Sequence, residues 1–129
     1  MLQLMKPLSK GKIFIIAIGV TIGILYLSLI KTPKATIQFH HLDKLQHALA
    51  YFILTISWLF AFYGKNKKRI IICSCIFYGI LIEILQETLT EYRTGDSLDI
   101  IANSTGVLLG LLLFNQLFKK IEVKKQKDL

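Results

Sequence analysis

Residues 83–103 read EILQETLTEYRTGDSLDIIAN. They join the end of one long apolar run to the start of another, and they set Glu83, Gln86, Glu87, Asp99 and Asn103 at helical spacing inside or beside those runs. An ionisable side chain within an apolar span is costly in lipid, and it characteristically faces the bundle interior and takes a partner. Glu83 therefore calls for polar company, and the rest of the chain reads as the scaffold that supplies it.

Working outward, the run before the loop covers residues 70–89 and the run after it covers 98–118. Two more precede them, at 13–30 and 45–63. Each approaches the roughly 20 residues needed to cross a hydrocarbon core. In lipid only helices and closed barrels satisfy every backbone N–H and C=O, and continuous apolar runs do not alternate as barrel strands do. The expected fold is an all-α membrane protein, a bundle of four transmembrane helices forming one domain over residues 1–129. The first run follows a basic segment with Lys6, Lys10 and Lys12, which also begins a signal peptide. Its apolar length exceeds the usual ~7–15 residues, and Lys31-Thr-Pro-Lys-Ala is no small-x-small cleavage site. It reads as an uncleaved anchor.

The chain is 53% hydrophobic with a formal net charge of +8, and its mean hydropathy is +0.55. The basic residues lie between and outside the apolar runs and form no aromatic-interleaved stripe, so nucleic acid is not an expected partner. They suit topology instead, because Lys and Arg stay on the cytoplasmic side. Twelve fall in the N-terminal segment, the 64–69 turn and the tail, against four (Lys31, Lys34, Lys44, Arg93) in the other connections. Both termini are expected in the cytoplasm, connections 31–44 and 90–97 outside, and the chain in a bacterial plasma membrane as a multi-pass protein. The tail, 119–129, is expected to fray into water.

On this topology, polar residues from three helices reach one depth. Asp43, His47 and Tyr51 step down one face of the second span. Glu83 lies about 9 Å below the outer end of the third, and Asn103 lies about 6 Å below Asp99 on the fourth, at ~1.5 Å rise per residue. Lys44 and Arg93 sit at the rim, and Arg93 is placed to pair with Glu83 or Asp99. Ala102, Gly106 and Gly110 recur every fourth residue, a spacing that lets helices approach closely. Gly79, one turn from Glu83, does the same on the third span.

Bland readings stand beside these. Asn103, Gln86 and Tyr51 also suit interhelical glue. Glu87 and Glu91 suit a solvated end, Asp96 a helix cap, and His40 and His41 a loop. Cys73 and Cys75 are too few for a disulfide scaffold; two apart on a helix, they point opposite ways and read as inert. A metal site from Asp43, His47, Glu83 and Glu87 is permitted by i, i+4 spacing but has one histidine. No metal or cofactor is expected.

The blocks Asp43-Lys44-x-x-His47-x-x-x-Tyr51, Glu83-x-x-Gln86 and Arg93-x-x-Asp96-x-x-Asp99-x-x-x-Asn103-x-x-Gly106-x-x-x-Gly110 resemble the VanZ-like family of small bacterial membrane proteins over roughly residues 40–114. One departure is Ala48, where an aromatic after the histidine is common. The resemblance implies a membrane topology, an envelope context and an association with resistance to the glycolipopeptide teicoplanin; it implies no reaction. The residues suggest an outer-leaflet pocket in which Glu83 and His47 exchange protons, since withdrawal from water favours the neutral form of either group. Asp99 would orient Arg93 or His47, and Lys44 and Arg93, with Asp43, Tyr51, Gln86 and Asn103, would bind a membrane lipid such as an anionic phospholipid or a polyprenyl phosphate. The alternative is a non-enzymatic binding module whose polar cluster is structural.

Overall fold

The computed structural model describes residues 10–30, 42–63, 65–89 and 97–128. They form four helices: α1 (Lys10–Leu29), α2 (Leu42–Ala61), α3 (Lys68–Leu89) and α4 (Ser97–Lys127). No strand occurs among the described residues. Three helices, α1, α3 and α4, are long and apolar enough to cross a membrane. α2 is not among them, because its first two turns carry Asp43, Lys44, Gln46 and His47 ahead of an apolar remainder.

The outward faces are apolar. Ile15, Tyr26, Phe77, Ile101 and Leu112 are exposed. Water would penalise such a surface, whereas hydrocarbon does not.

Side-chain contacts give the helix directions. Phe14 meets Phe62 and Trp58, and Thr21 meets Trp58, so α1 runs against α2. Thr21 also meets Tyr78 and Ser28 meets Gln86, so α1 runs along α3. His47 meets Asn103 and Phe60 meets Phe114, so α2 and α4 run together. The helices thus alternate in direction along the chain. One end gathers His47, Gln86 and Asn103; the other gathers aromatic rings around Lys68. The Lys68 ammonium donates to Asn115 Oδ1 at 2.8 Å and lies over the rings of Phe114 and Phe118, a cation–π arrangement.

The closest approach is between α2 and α4. A Cβ at Gly106 would stand 2.0 Å from the Ala48 carbonyl oxygen, and one at Gly110 would stand 3.2 Å from that of Phe52. The four-residue small-side-chain stripe is therefore where two backbones touch, as its spacing predicts. α1 is held differently. Ala17 is fully buried. One turn later Thr21 accepts from Trp58 Nε1 at 2.9 Å, and its carbonyl accepts from the Tyr78 hydroxyl at 2.6 Å.

Several boundaries differ from the sequence reading. α1 and α3 start earlier, at Lys10 and Lys68. α2 begins at Leu42, so Lys44 lies within the helix and not in the preceding connection. α4 does not fray at residue 119 but continues to Lys127. Lys, Glu and Gln are good helix formers, and Lys124, Lys125 and Lys127 in the last turn complement the helix dipole.

Candidate functional site

The end of the molecule that gathers His47 also collects the acids. Glu83 on α3 is 4% exposed, and Asp99 and Asn103 on α4 are 6% and 2% exposed. Each follows from local sequence. Asp99 lies in the first turn of α4, where a carboxylate is favoured by the free N–H groups. Asn103 is one turn further on. Glu83 shares the buried face of α3 with Cys75, Gly79, Ile82 and Gln86. His47 and Tyr51 follow Lys44 along α2.

The contacts are specific. Lys44 Nζ forms an ion pair with Asp99 Oδ1. His47 Nδ1 donates to Asn103 Oδ1 at 3.0 Å. That bond fixes the orientation of the ring, with Nε2 on the side of Asp99. The Nε2 to Asp99 Oδ2 separation is 3.8 Å, too long for a hydrogen bond. One ring nitrogen of His47 and one carboxylate oxygen each of Glu83 and Asp99 lie within 4.8 Å of one another. Three side chains from three helices thus converge on a single small space.

Tyr51 lies one turn deeper than His47, 2% exposed and within electrostatic range of Glu83. Room for it comes from Gly79. A Cβ there would stand 3.2 Å from Tyr51 Cε1 and 3.3 Å from Asn103 Nδ2. The Tyr51 hydroxyl and Asn103 Nδ2 are buried without a hydrogen-bond partner among the described residues.

The structure therefore brings together Lys44, His47, Tyr51, Glu83, Asp99 and Asn103. Gln86 turns elsewhere: it is buried, but its Nε2 donates to the Ser28 carbonyl at 3.0 Å, satisfying one of the free carbonyls at the end of α1. Glu87 is exposed. Arg93, and with it Glu91, Asp96, His40 and His41, lies outside the described residues, as does the side chain of Asp43. The sequence places Arg93 to pair with Glu83 or Asp99; Asp99 is paired with Lys44, 55 residues away in sequence. Cys73 is exposed and Cys75 buried, as their spacing predicts. Sequence reasoning missed Thr21. Its only signal is a hydroxyl at i+4 from a small residue on an otherwise uniform apolar helix.

The sequence model of the VanZ/LLP1 family matches residues 14–119. An uncharacterized protein of Schizosaccharomyces pombe is 38% identical over 86 residues, which is 64% of this chain and 52% of that protein. The chain thus spans about half the length of this curated relative. No solved structure matches it.

Proposed function

The chain belongs to the VanZ/LLP1 family, and on that premise we propose that it is a four-span membrane protein whose polar end binds the phosphate headgroup of an anionic lipid, a phospholipid or a polyprenyl phosphate. α2 is the fourth span, with its polar first turns at the headgroup level. Both termini are cytoplasmic, and the end bearing His47, Glu83 and Asp99 faces outward. In a bacterial plasma membrane, occupancy or chemical change of such a lipid alters the surface in which a lipidated antibiotic lodges. This is the link to teicoplanin resistance.

One observation carries the reading. Two buried carboxylates and a buried carboxamide meet a half-buried imidazole, from three helices, at one end. Polar groups at membrane depth are costly and mark ligand pathways or sites. The yeast relative adds support, since a phosphate headgroup is chemistry that bacterial and eukaryotic membranes share. A second reading is a non-enzymatic module in which polar groups only hold the helices together. It is favoured by Gln86, whose amide is given to α1.

The test is teicoplanin susceptibility of a Gram-positive host carrying wild type, Glu83→Gln or His47→Ala at matched membrane levels, with vancomycin as the non-lipidated comparison and lipid extracts analysed in parallel. Selective protection by wild type, lost in both variants, supports the lipid site. Protection undiminished in the variants makes the cluster structural.

A further inference from the structure

Lys44 pairs with Asp99, and one ring nitrogen of His47 and one carboxylate oxygen each of Glu83 and Asp99 gather beside that pair, within 4.8 Å of one another.

We propose that His47, Glu83 and Asp99 form a binding site for one borderline-hard divalent cation, Zn²⁺ or Mn²⁺. The donor set is one imidazole nitrogen and two carboxylate oxygens, which suits these ions better than the all-oxygen preference of Ca²⁺ or Mg²⁺. Ligand atoms about 2.0–2.2 Å from an ion stand about 3.0–3.5 Å apart at ordinary coordination angles. The 3.8 Å between His47 Nε2 and Asp99 Oδ2 and the 4.8 Å span of the whole set close onto an ion with side-chain shifts of up to about 1–2 Å. Asn103 supplies the supporting bond. A histidine ligand characteristically donates its other N–H to a fixed oxygen, and Nδ1 donates to Asn103 Oδ1.

The second observation is independent of the acids. The Tyr51 hydroxyl and Asn103 Nδ2 are buried without hydrogen-bond partners among the described residues, and both side chains pack against Gly79, one turn from Glu83. Both are donors. Three protein ligands leave an ion with an open coordination position. An oxygen there, from water or from a phosphate, accepts from these two donors. The cation site stands on its own geometry; its service to a lipid phosphate rests on the reading in the preceding subsection.

Lys44 gives the site a distinctive signature. Its ammonium holds Asp99 Oδ1 and competes for the carboxylate charge, so Lys44→Gln binds the cation more tightly than wild type. Glu83→Gln and Asp99→Asn each remove a charged ligand and weaken it.

The experiment is equilibrium dialysis of the purified full chain in detergent against Zn²⁺ or Mn²⁺, with metal read by elemental analysis and helicity by circular dichroism. One ion per wild-type chain, at least about tenfold weaker binding in Glu83→Gln and Asp99→Asn, and tighter binding in Lys44→Gln support the site. A wild-type Kd weaker than about 1 mM for both ions overturns it, as does binding undiminished in the two carboxylate variants. If either variant loses its helicity, Co²⁺ absorption of wild type and His47→Gln decides instead. A wild-type spectrum that His47→Gln alters supports a nitrogen-ligated site, and identical spectra overturn it. Anionic vesicles with and without chelator separate the two readings. Cation binding without vesicle-lipid retention removes the lipid function and leaves the ion site. Lipid retention by a chain that binds neither ion removes the site and leaves the lipid function.

Discussion

Gly106 of α4 rests on the backbone of Ala48 in α2, so closely that a Cβ on Gly106 would stand 2.0 Å from the Ala48 carbonyl oxygen. Ala48 directly follows His47, and Gly106 lies three residues past Asn103. The contact therefore sets the register that allows His47 to reach Asn103 at 3.0 Å. The obstructing atom is backbone and cannot rotate away. Gly106→Ala is expected to push α2 and α4 apart and to cost about 1–3 kcal/mol, the usual range for overpacking. Gly110→Ala meets its nearest atoms at 3.1–3.3 Å and should cost less. Thermal unfolding of the two variants in one detergent checks the order, and equal midpoints would dissociate the stripe from helix packing.

Much of this arrangement was legible in the sequence. Apolar run length identified the helices, the four-residue repeat of Ala102, Gly106 and Gly110 identified the packing face, and i, i+4 spacing aligned His47 with Tyr51. Depth counting brought His47, Glu83 and Asn103 to one level. The partners were harder to read. Spacing along a chain states which residues share a helix face, but not which neighbouring helix that face meets. Gln86 and Glu83 lie within one turn of each other, yet Gln86 contacts α1 while Glu83 joins His47 and Asp99. The Lys44–Asp99 pair was hidden for the same reason. The sequence alone puts Lys44 in the connection, and its partner depends on how far α2 extends towards its N-terminus.

The attachment of α1 offers a second measurement. Thr21 Oγ1 accepts from Trp58 and donates to the Ala17 carbonyl at 2.8 Å. Valine has the same shape without the hydroxyl. Thr21→Val should cost about 1 kcal/mol, as interhelical hydrogen bonds in membranes typically contribute ~0.6–2 kcal/mol. Tyr78 should keep its bond, which goes to the Thr21 backbone carbonyl. The variant should shift Trp58 fluorescence and leave cation binding unchanged. An unaltered Trp58 spectrum would count against the bond.

Orientation is open to cysteine labelling. Cys73 is exposed and Cys75 buried, so both are first replaced by serine. Ser97, the exposed first residue of α4, and Lys124, exposed near its other end, then each receive a cysteine in turn. With the basic tail inside, a membrane-impermeant maleimide should label Ser97→Cys in intact cells and Lys124→Cys only after permeabilisation. The reverse pattern would place the His47 end in the cytoplasm and remove the outer-leaflet reading.

The Lys44–Asp99 ion pair gives the sharpest energetic test. Asp99 is nearly buried, whereas the Lys44 side chain is 28% exposed. Removing one partner of a fully buried pair costs ~3–5 kcal/mol, because a charge is left uncompensated. Partial exposure of Lys44 lets water screen the interaction, so Lys44→Met should destabilise by about 1–3 kcal/mol. The sign of the double variant is the informative part. Adding Asp99→Asn removes the stranded charge, and the Lys44→Met, Asp99→Asn chain should recover most of the loss. A cation seated between His47, Glu83 and Asp99 would compensate the same charge by another route. Zn²⁺ or Mn²⁺ should therefore raise the unfolding temperature of Lys44→Met more than that of wild type, and should leave the double variant little changed. Three chains, each unfolded with and without ion, thus separate the contribution of the lysine from that of the site it guards. Equal shifts in all three would mean that the ion acts away from Asp99.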